Sequence, residues 1–132
     1  MPVIAGIDAQ STQEVTASLQ EFGQRYLRRL YTEREIQDCG ERPDELGRAL
    51  AALFAAKEAV LKILDIGEDV PPWKAIEVLG TTNGNFVITL HGVAAKLARR
   101  RGIEGMSLSI SYAAGVALAV VVAQSVDDAA ET

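Results

Sequence analysis

From Arg48 to Leu64 the chain runs without Pro or Gly and is dominated by Ala and Leu, so nothing in it breaks a helix. At about 1.5 Å per residue such a helix is roughly 25 Å long, the width of a small domain. Any fold open to this chain is arranged around it. Pro43 stands upstream where proline suits a first helical turn, and Gly47 falls only in that turn. At about 100° per residue, Leu46, Leu50, Leu53, Phe54, Val60, Leu61 and Leu64 make one apolar stripe. Lys57 lies within it. Ala51, Ala55, Glu58 and Lys62 share a neighbouring face, where the alanines leave backbone bare beside a carboxylate and an ammonium. Two readings stay open. Glu58 and Lys62 form an ordinary surface pair worth about a few tenths of a kcal/mol, with Lys57 snorkelling past the leucines, or these charges equip a site.

A chain of 132 residues is expected to form one domain with its own core, here residues 1–124, followed by an acidic tail, 125–132. Cys39 is the only cysteine, so no disulfide or cysteine metal cluster forms within one chain, which suits the cytoplasm. The N-terminus lacks a signal-like pattern, and the longest apolar run, Val116 to Ala123, is too short to span a membrane. A net charge of −5 argues against nucleic-acid binding as the main role. Basic residues nonetheless cluster as Arg25, Arg28 and Arg29, and as Lys96, Arg99, Arg100 and Arg101. Each cluster is either a solvated helix face or a docking point for an acidic partner or phosphates.

Val3 to Asp8 reads as a short buried strand ending in an acid. Ser11 or Thr12 caps a helix through Leu19, a second runs from Phe22 to Leu30, and Thr32 with Glu35 has the form of a capping box opening a third toward Cys39. Together they suggest a mobile or partner-facing helical arm. After a loop with Gly67 and Pro71-Pro72, the runs 75–79 and 85–90 flank Asn83-Gly84, a strong hairpin signal. His91 closes the second strand as a solvated residue with no evident partner. A helix follows from Val93 to Arg101, then an alternating strand from Ser107 to Tyr112 and a strand from Val116 to Val122. Its small Ser and Ala faces invite the long helix to lie close.

An acid on the first strand, an acid and two lysines on the central helix, and a Ser-rich strand suggest metal-assisted phosphoryl chemistry. Two carboxylates from separate elements can share Mg²⁺, which completes its shell with water and substrate phosphates, and lysines neutralise the same phosphates.

Gly6-Ile7-Asp8, Arg29-Leu30 ahead of Thr32 and Glu35, Phe54-Ala55-Ala56-Lys57-Glu58-Ala59 with Lys62, Ile76-Glu77-Val78 before Asn83-Gly84, and Ser109-Ile110-Ser111 occur in that order over nearly the whole chain. In this the chain resembles the holo-acyl-carrier-protein synthases, the short branch of the 4′-phosphopantetheinyl transferase superfamily. The resemblance implies an α+β protomer with a long central helix on an antiparallel sheet, assembled as a homotrimer with sites at subunit boundaries. It implies transfer of phosphopantetheine from coenzyme A to a serine of an acyl carrier protein in fatty-acid or polyketide assembly. Asp8 and Glu58 would hold Mg²⁺, Glu58 and Lys62 would act in catalysis, and Lys57, Lys62, Ser111 and Tyr112 would meet coenzyme A. Arg25, Arg28 and Arg29 would dock the acidic carrier.

Three positions lose a charge or partner that the family pattern carries, and the glycine-rich continuation after Lys62 is reduced to Gly67. Tyr112, followed by Ala113, stands where a histidine meets coenzyme A phosphate, Leu53 where a basic residue precedes the Phe, and Glu14 near the place of an arginine. Each lost charge removes about 1.5–3 kcal/mol of charged hydrogen bonding. A second expectation follows: a family member that binds a carrier protein or its pantetheine arm without transferring it, or that has taken up another reaction on a carrier-bound chain; a third is a structural subunit of a hetero-oligomer, which the small-residue strand faces also permit.

Overall fold

The computed structural model describes residues 2–40 and 43–126. In chain order the elements are β1 (Val3–Ser11), α1 (Thr12–Phe22), α2 (Gln24–Leu30), α3 (Glu33–Asp38), α4 (Pro43–Leu64), a single 3-10 turn (Trp73–Ala75), β2 (Ile76–Gly80), β3 (Phe86–Leu90), α5 (Gly92–Arg100), β4 (Ile103–Ala113) and β5 (Val116–Ser125). β1, β5 and β4 form an antiparallel sheet in that order, and β2 and β3 pair as the expected hairpin. The architecture is α+β with α4 laid across one face of the three-stranded sheet.

The register shows why α4 lies there. Ile4, Gly6, Asp8 and Gln10 of β1 stand opposite Ala123, Val121, Ala119 and Ala117 of β5, which in turn face Met106, Leu108, Ile110 and Tyr112 of β4. The β5 members of this inner face are buried and mostly alanine, so the helix backbone can come close. At Gly6 the approach is closest: a Cβ there would collide with the Ala59 carbonyl of α4. α1 crosses the other side of α4 at Gly47, where a Cβ would meet the Thr16 side chain. Contacts with β1, β5, α1, β2 and α5 bury α4 around most of its girth. Ala51 and Ala55, expected on an open surface, are therefore fully buried.

Other expectations are corrected. β1 continues three residues past Asp8 to Ser11, because its pairing with β5 extends to Ser11–Val116 and overrides the weak strand propensity of the Ala-Gln-Ser end. Asp8 is thus an interior strand residue, on a strand buried on one face only. The serines of β4 do not receive α4: Ser107, Ser109 and Ser111 alternate onto the outer face and are exposed, while the half-buried Leu108 and Ile110 face the helix. α1–α3 are no loose arm, since Val15, Leu27, Tyr31 and Glu35 are buried and the Tyr31 hydroxyl donates to the Leu50 carbonyl of α4 at 3.0 Å. β5 runs through Ser125, one residue into the expected tail, and residues 127–132 lie outside the described residues.

Candidate active site

The close approach of α4 to β1 at Gly6 brings the helix face of Glu58 and Lys62 against Asp8. The Lys62 ammonium donates to the Ile7 carbonyl at 2.6 Å and to Asp8 Oδ1 at 3.3 Å. It therefore reaches across to β1, and among the described residues no ion pair joins it to Glu58 one turn back. Asp8 is also held from its own strand: Gln10 Nε2 donates to Asp8 Oδ2 at 2.7 Å. Partial burial, and next the charge of Asp8, raise the Glu58 carboxyl above its ordinary pKa, with Lys62 pulling the other way. The two carboxylates therefore feel one another, and Lys62 offsets only part of their repulsion.

This donor set suits a hard divalent cation. Two carboxylates with one ammonium leave a negative charge uncompensated, and the ammonium already rests on Asp8 and a backbone carbonyl, as a cation drawn to that potential would. No third His, Cys, Asp or Glu joins the pair among the described residues. Two carboxylates, with water and substrate phosphates supplying the remaining ligands, is a common arrangement for Mg²⁺.

The other expected site residues are placed differently. Lys57 is fully buried on the far side of α4, its ammonium 2.9 Å from Glu35 and donating to the carbonyls of Trp73 and Ile76. It offers nothing to a ligand, which corrects both the coenzyme A contact and the snorkelling expected of it. Desolvation lowers its pKa, with Glu35 opposing. Glu35 itself accepts from the amides of Thr32 and Val78 at 2.8 Å each, so one buried carboxylate closes the capping box and ties α3 to α4 and β2.

Ser111 and Tyr112 fall on opposite faces of β4, as adjacent strand residues must. Ser111 lies on the outer face, away from Asp8 and Glu58. Tyr112 shares the inner face, two strands from β1 in the row of Gln10 and Ala117. The Arg48 guanidinium stands 3.9 Å from its ring centroid. Leu53 and Tyr112, two of the three departures, line one cavity of about 320 Å³ together with Asp38, Cys39, Gly84 and Phe86. Burial first, then Asp38 and Glu35, push the Cys39 thiol up to about 12, so it is unreactive near neutrality. On the opposite side, Arg25 and Arg29 line a groove of about 460 Å³ with Phe22, Tyr26 and Trp73. Arg28 points aside, its Nε 3.4 Å from Gln24.

Contacts beyond the Lys57–Glu35 pair are also absent from the sequence reading. Gln10 was findable, because residues two apart on a strand share a face. No local signal pairs Arg48 with Tyr112. His91, expected to stand alone, reaches Glu77 at 3.2 Å, and Glu77 also accepts from Thr32 at 2.7 Å.

Comparison with known proteins gives the family and the fold. A family model described as the 4′-phosphopantetheinyl transferase superfamily matches residues 4–121. The holo-[acyl-carrier-protein] synthase of Leptospira biflexa is 36% identical over 118 residues, 89% of this chain and 92% of the relative. That of Carboxydothermus hydrogenoformans is 38% identical over 118 residues, 89% of this chain and 94% of its own. The crystal structure of Helicobacter pylori holo-[acyl-carrier-protein] synthase in complex with coenzyme A superposes with a TM-score of 0.77 at 28% identity, covering 92% of this chain and all of that one. On the match of the family model over nearly the whole chain and the identity with these relatives, the chain belongs to the 4′-phosphopantetheinyl transferase superfamily, in its holo-acyl-carrier-protein synthase branch.

Proposed function

We propose that this enzyme transfers 4′-phosphopantetheine from coenzyme A to a serine of an acyl carrier protein of fatty-acid or polyketide assembly, using Mg²⁺ held by Asp8 and Glu58. The observation that carries the reading is the meeting of Asp8, Glu58 and Lys62 at one place. Mg²⁺ bound there supplies charge neutralisation at the coenzyme A pyrophosphate. Lys62, half exposed on a flexible stem, neutralises phosphate oxygens beside it. Glu58, at the same place, takes the carrier serine's proton directly or through a water. The serine oxygen forms a bond to the pantetheine-side phosphorus, the bond from that phosphorus to the bridging oxygen breaks, and 3′,5′-ADP leaves with the electron pair.

The outer face of the sheet supports a homotrimer. Val3 is 64% exposed, Ile7 57% and Val122 39%, an apolar area that burial against other copies would stabilise. Ser111 opens on the same face, which suits contact with coenzyme A across a subunit boundary. Arg25 and Arg29, beside the apolar floor of their groove, would receive the acidic carrier, with Arg28 adding long-range attraction. The single cysteine and a described chain with no helix long and apolar enough to cross a membrane are in keeping with a cytoplasmic reaction.

The test is intact-mass spectrometry of apo carrier protein incubated with coenzyme A, Mg²⁺ and the enzyme. A phosphopantetheine mass gain that disappears with Asp8→Asn or Glu58→Gln is expected. No gain across several carriers that nevertheless bind would replace transfer by the binding reading that Leu53 and Tyr112 suggest.

A further inference from the structure

We infer that Gln10 is a positioning residue for cation binding, dividing the two oxygens of Asp8 so that one stays available to a divalent ion. The inference rests on the assignment of Asp8 and Glu58 as cation ligands. An ionised carboxylate only accepts hydrogen bonds, so the Gln10 group facing it has to be the amide nitrogen rather than the amide oxygen. The bond is short, 2.7 Å to Oδ2, and partly buried. Strand alternation puts residues 8 and 10 on the inner face, and Gln10 stands opposite Ala117, whose methyl leaves the amide room to turn back along β1.

The competing partner is Lys62, at 3.3 Å from Oδ1 and 2.6 Å from the Ile7 carbonyl. With Gln10 holding Oδ2, the ammonium has one oxygen to work on and the plane of the carboxylate is fixed. Remove the amide and Asp8 is free to swing both oxygens onto Lys62, closing itself to another cation. Hydrogen-bond partners of metal-ligating groups typically matter by about 10–100-fold in metal affinity, and Gln10 is the neutral side chain that donates to either acid among the described residues.

The test is Mn²⁺ binding to the full chain, read from free Mn²⁺ by electron paramagnetic resonance, for the parent, Gln10→Leu, Gln10→Met and Asp8→Asn, with metal-free thermal unfolding of each. Both Gln10 variants should weaken Mn²⁺ binding by about 10–100-fold without moving the metal-free midpoint. Lys62→Met should raise Mn²⁺ affinity more in the Gln10→Leu background than in the parent. Unchanged affinity in both Gln10 variants, where Asp8→Asn loses binding, overturns the role of Gln10 alone. Affinity lost only together with the metal-free fold assigns Gln10 to structure and overturns it too. A parent that does not bind Mn²⁺, or Asp8→Asn binding as the parent does, removes the cation reading and this inference with it.

Discussion

Replacing Lys57 by methionine separates a lysine that serves substrate from one that holds the fold. The Lys57 and Glu35 side chains are both fully buried, and the ammonium makes hydrogen bonds to Glu35 and to the carbonyls of Trp73 and Ile76. Methionine fills nearly the same volume, so no large cavity opens. What changes is charge: Glu35 keeps the Thr32 and Val78 amides but loses its cation, and two carbonyls lose their donor. Removing one partner of a buried pair costs about 3–5 kcal/mol, against a total stability of about 5–15 kcal/mol for a typical domain. For a chain of this length that lowers the thermal midpoint by roughly 10–20 °C. Urea and thermal unfolding at neutral pH measure it, alongside steady-state kinetics on the folded fraction. Lys57→Met/Glu35→Gln should recover part of the loss, because the stranded charge is gone. Stability within about 1 kcal/mol of the parent, combined with a raised KM for coenzyme A, would refute this reasoning and return Lys57 to the substrate.

Gly6→Ala drives a methyl into the Ala59 carbonyl, so α4 has to lift from β1. The expected cost is about 1–3 kcal/mol, with a larger fall in kcat than in stability because Glu58 and Lys62 move from Asp8; activity falling only in step with the folded fraction would contradict it. For Glu77, burial raises the pKa, but hydrogen bonds from Thr32 and His91 and the charge of Arg34 outweigh it and leave a net depression. A depressed carboxylate stabilises the fold above its unfolded pKa of about 4.3, and that stability is lost as pH falls through the folded value. Glu77→Gln should therefore lower stability at neutral pH and flatten the acid limb of the stability curve, and an unchanged limb would count against the network. Arg25→Glu with Arg29→Glu should raise KM for the carrier by at least about tenfold at low ionic strength and leave KM for coenzyme A unchanged. A shift in the coenzyme A constant instead would move the nucleotide to the groove beside Trp73.

Local chemistry was legible in the sequence and long-range pairing was not. α4, the Asn83-Gly84 hairpin and the Thr32–Glu35 capping box are written in adjacent residues, and each is present in the structure. The residues alone suggest one group of Asp8, Glu58 and the two helix lysines; Asp8, Glu58 and Lys62 come together, and Lys57 does not join them. Lys57 was misread because its partner, Glu35, is 22 residues away, and helical periodicity says only that Lys57 is on a core-facing stripe. The serines of β4 were turned the wrong way for a similar reason. Alternation fixes that Ser107, Ser109 and Ser111 share a face, but the face is chosen by the pairing of Ile110 with Ala119 and of Leu108 with Val121. β1 was cut short at Asp8 because a polar tail is a poor strand alone, and Gln10, the residue that grips Asp8, was lost with it.

The proposed transfer depends above all on a divalent ion seated between β1 and α4. A crystal grown with Mn²⁺ and coenzyme A, measured at the manganese absorption edge, tests this directly. An anomalous peak within ligand distance of carboxylate oxygens from both Asp8 and Glu58, with Lys62 moved off Asp8 toward phosphate, is the predicted result. Bound coenzyme A with no such peak, or a peak at other residues, would contradict it.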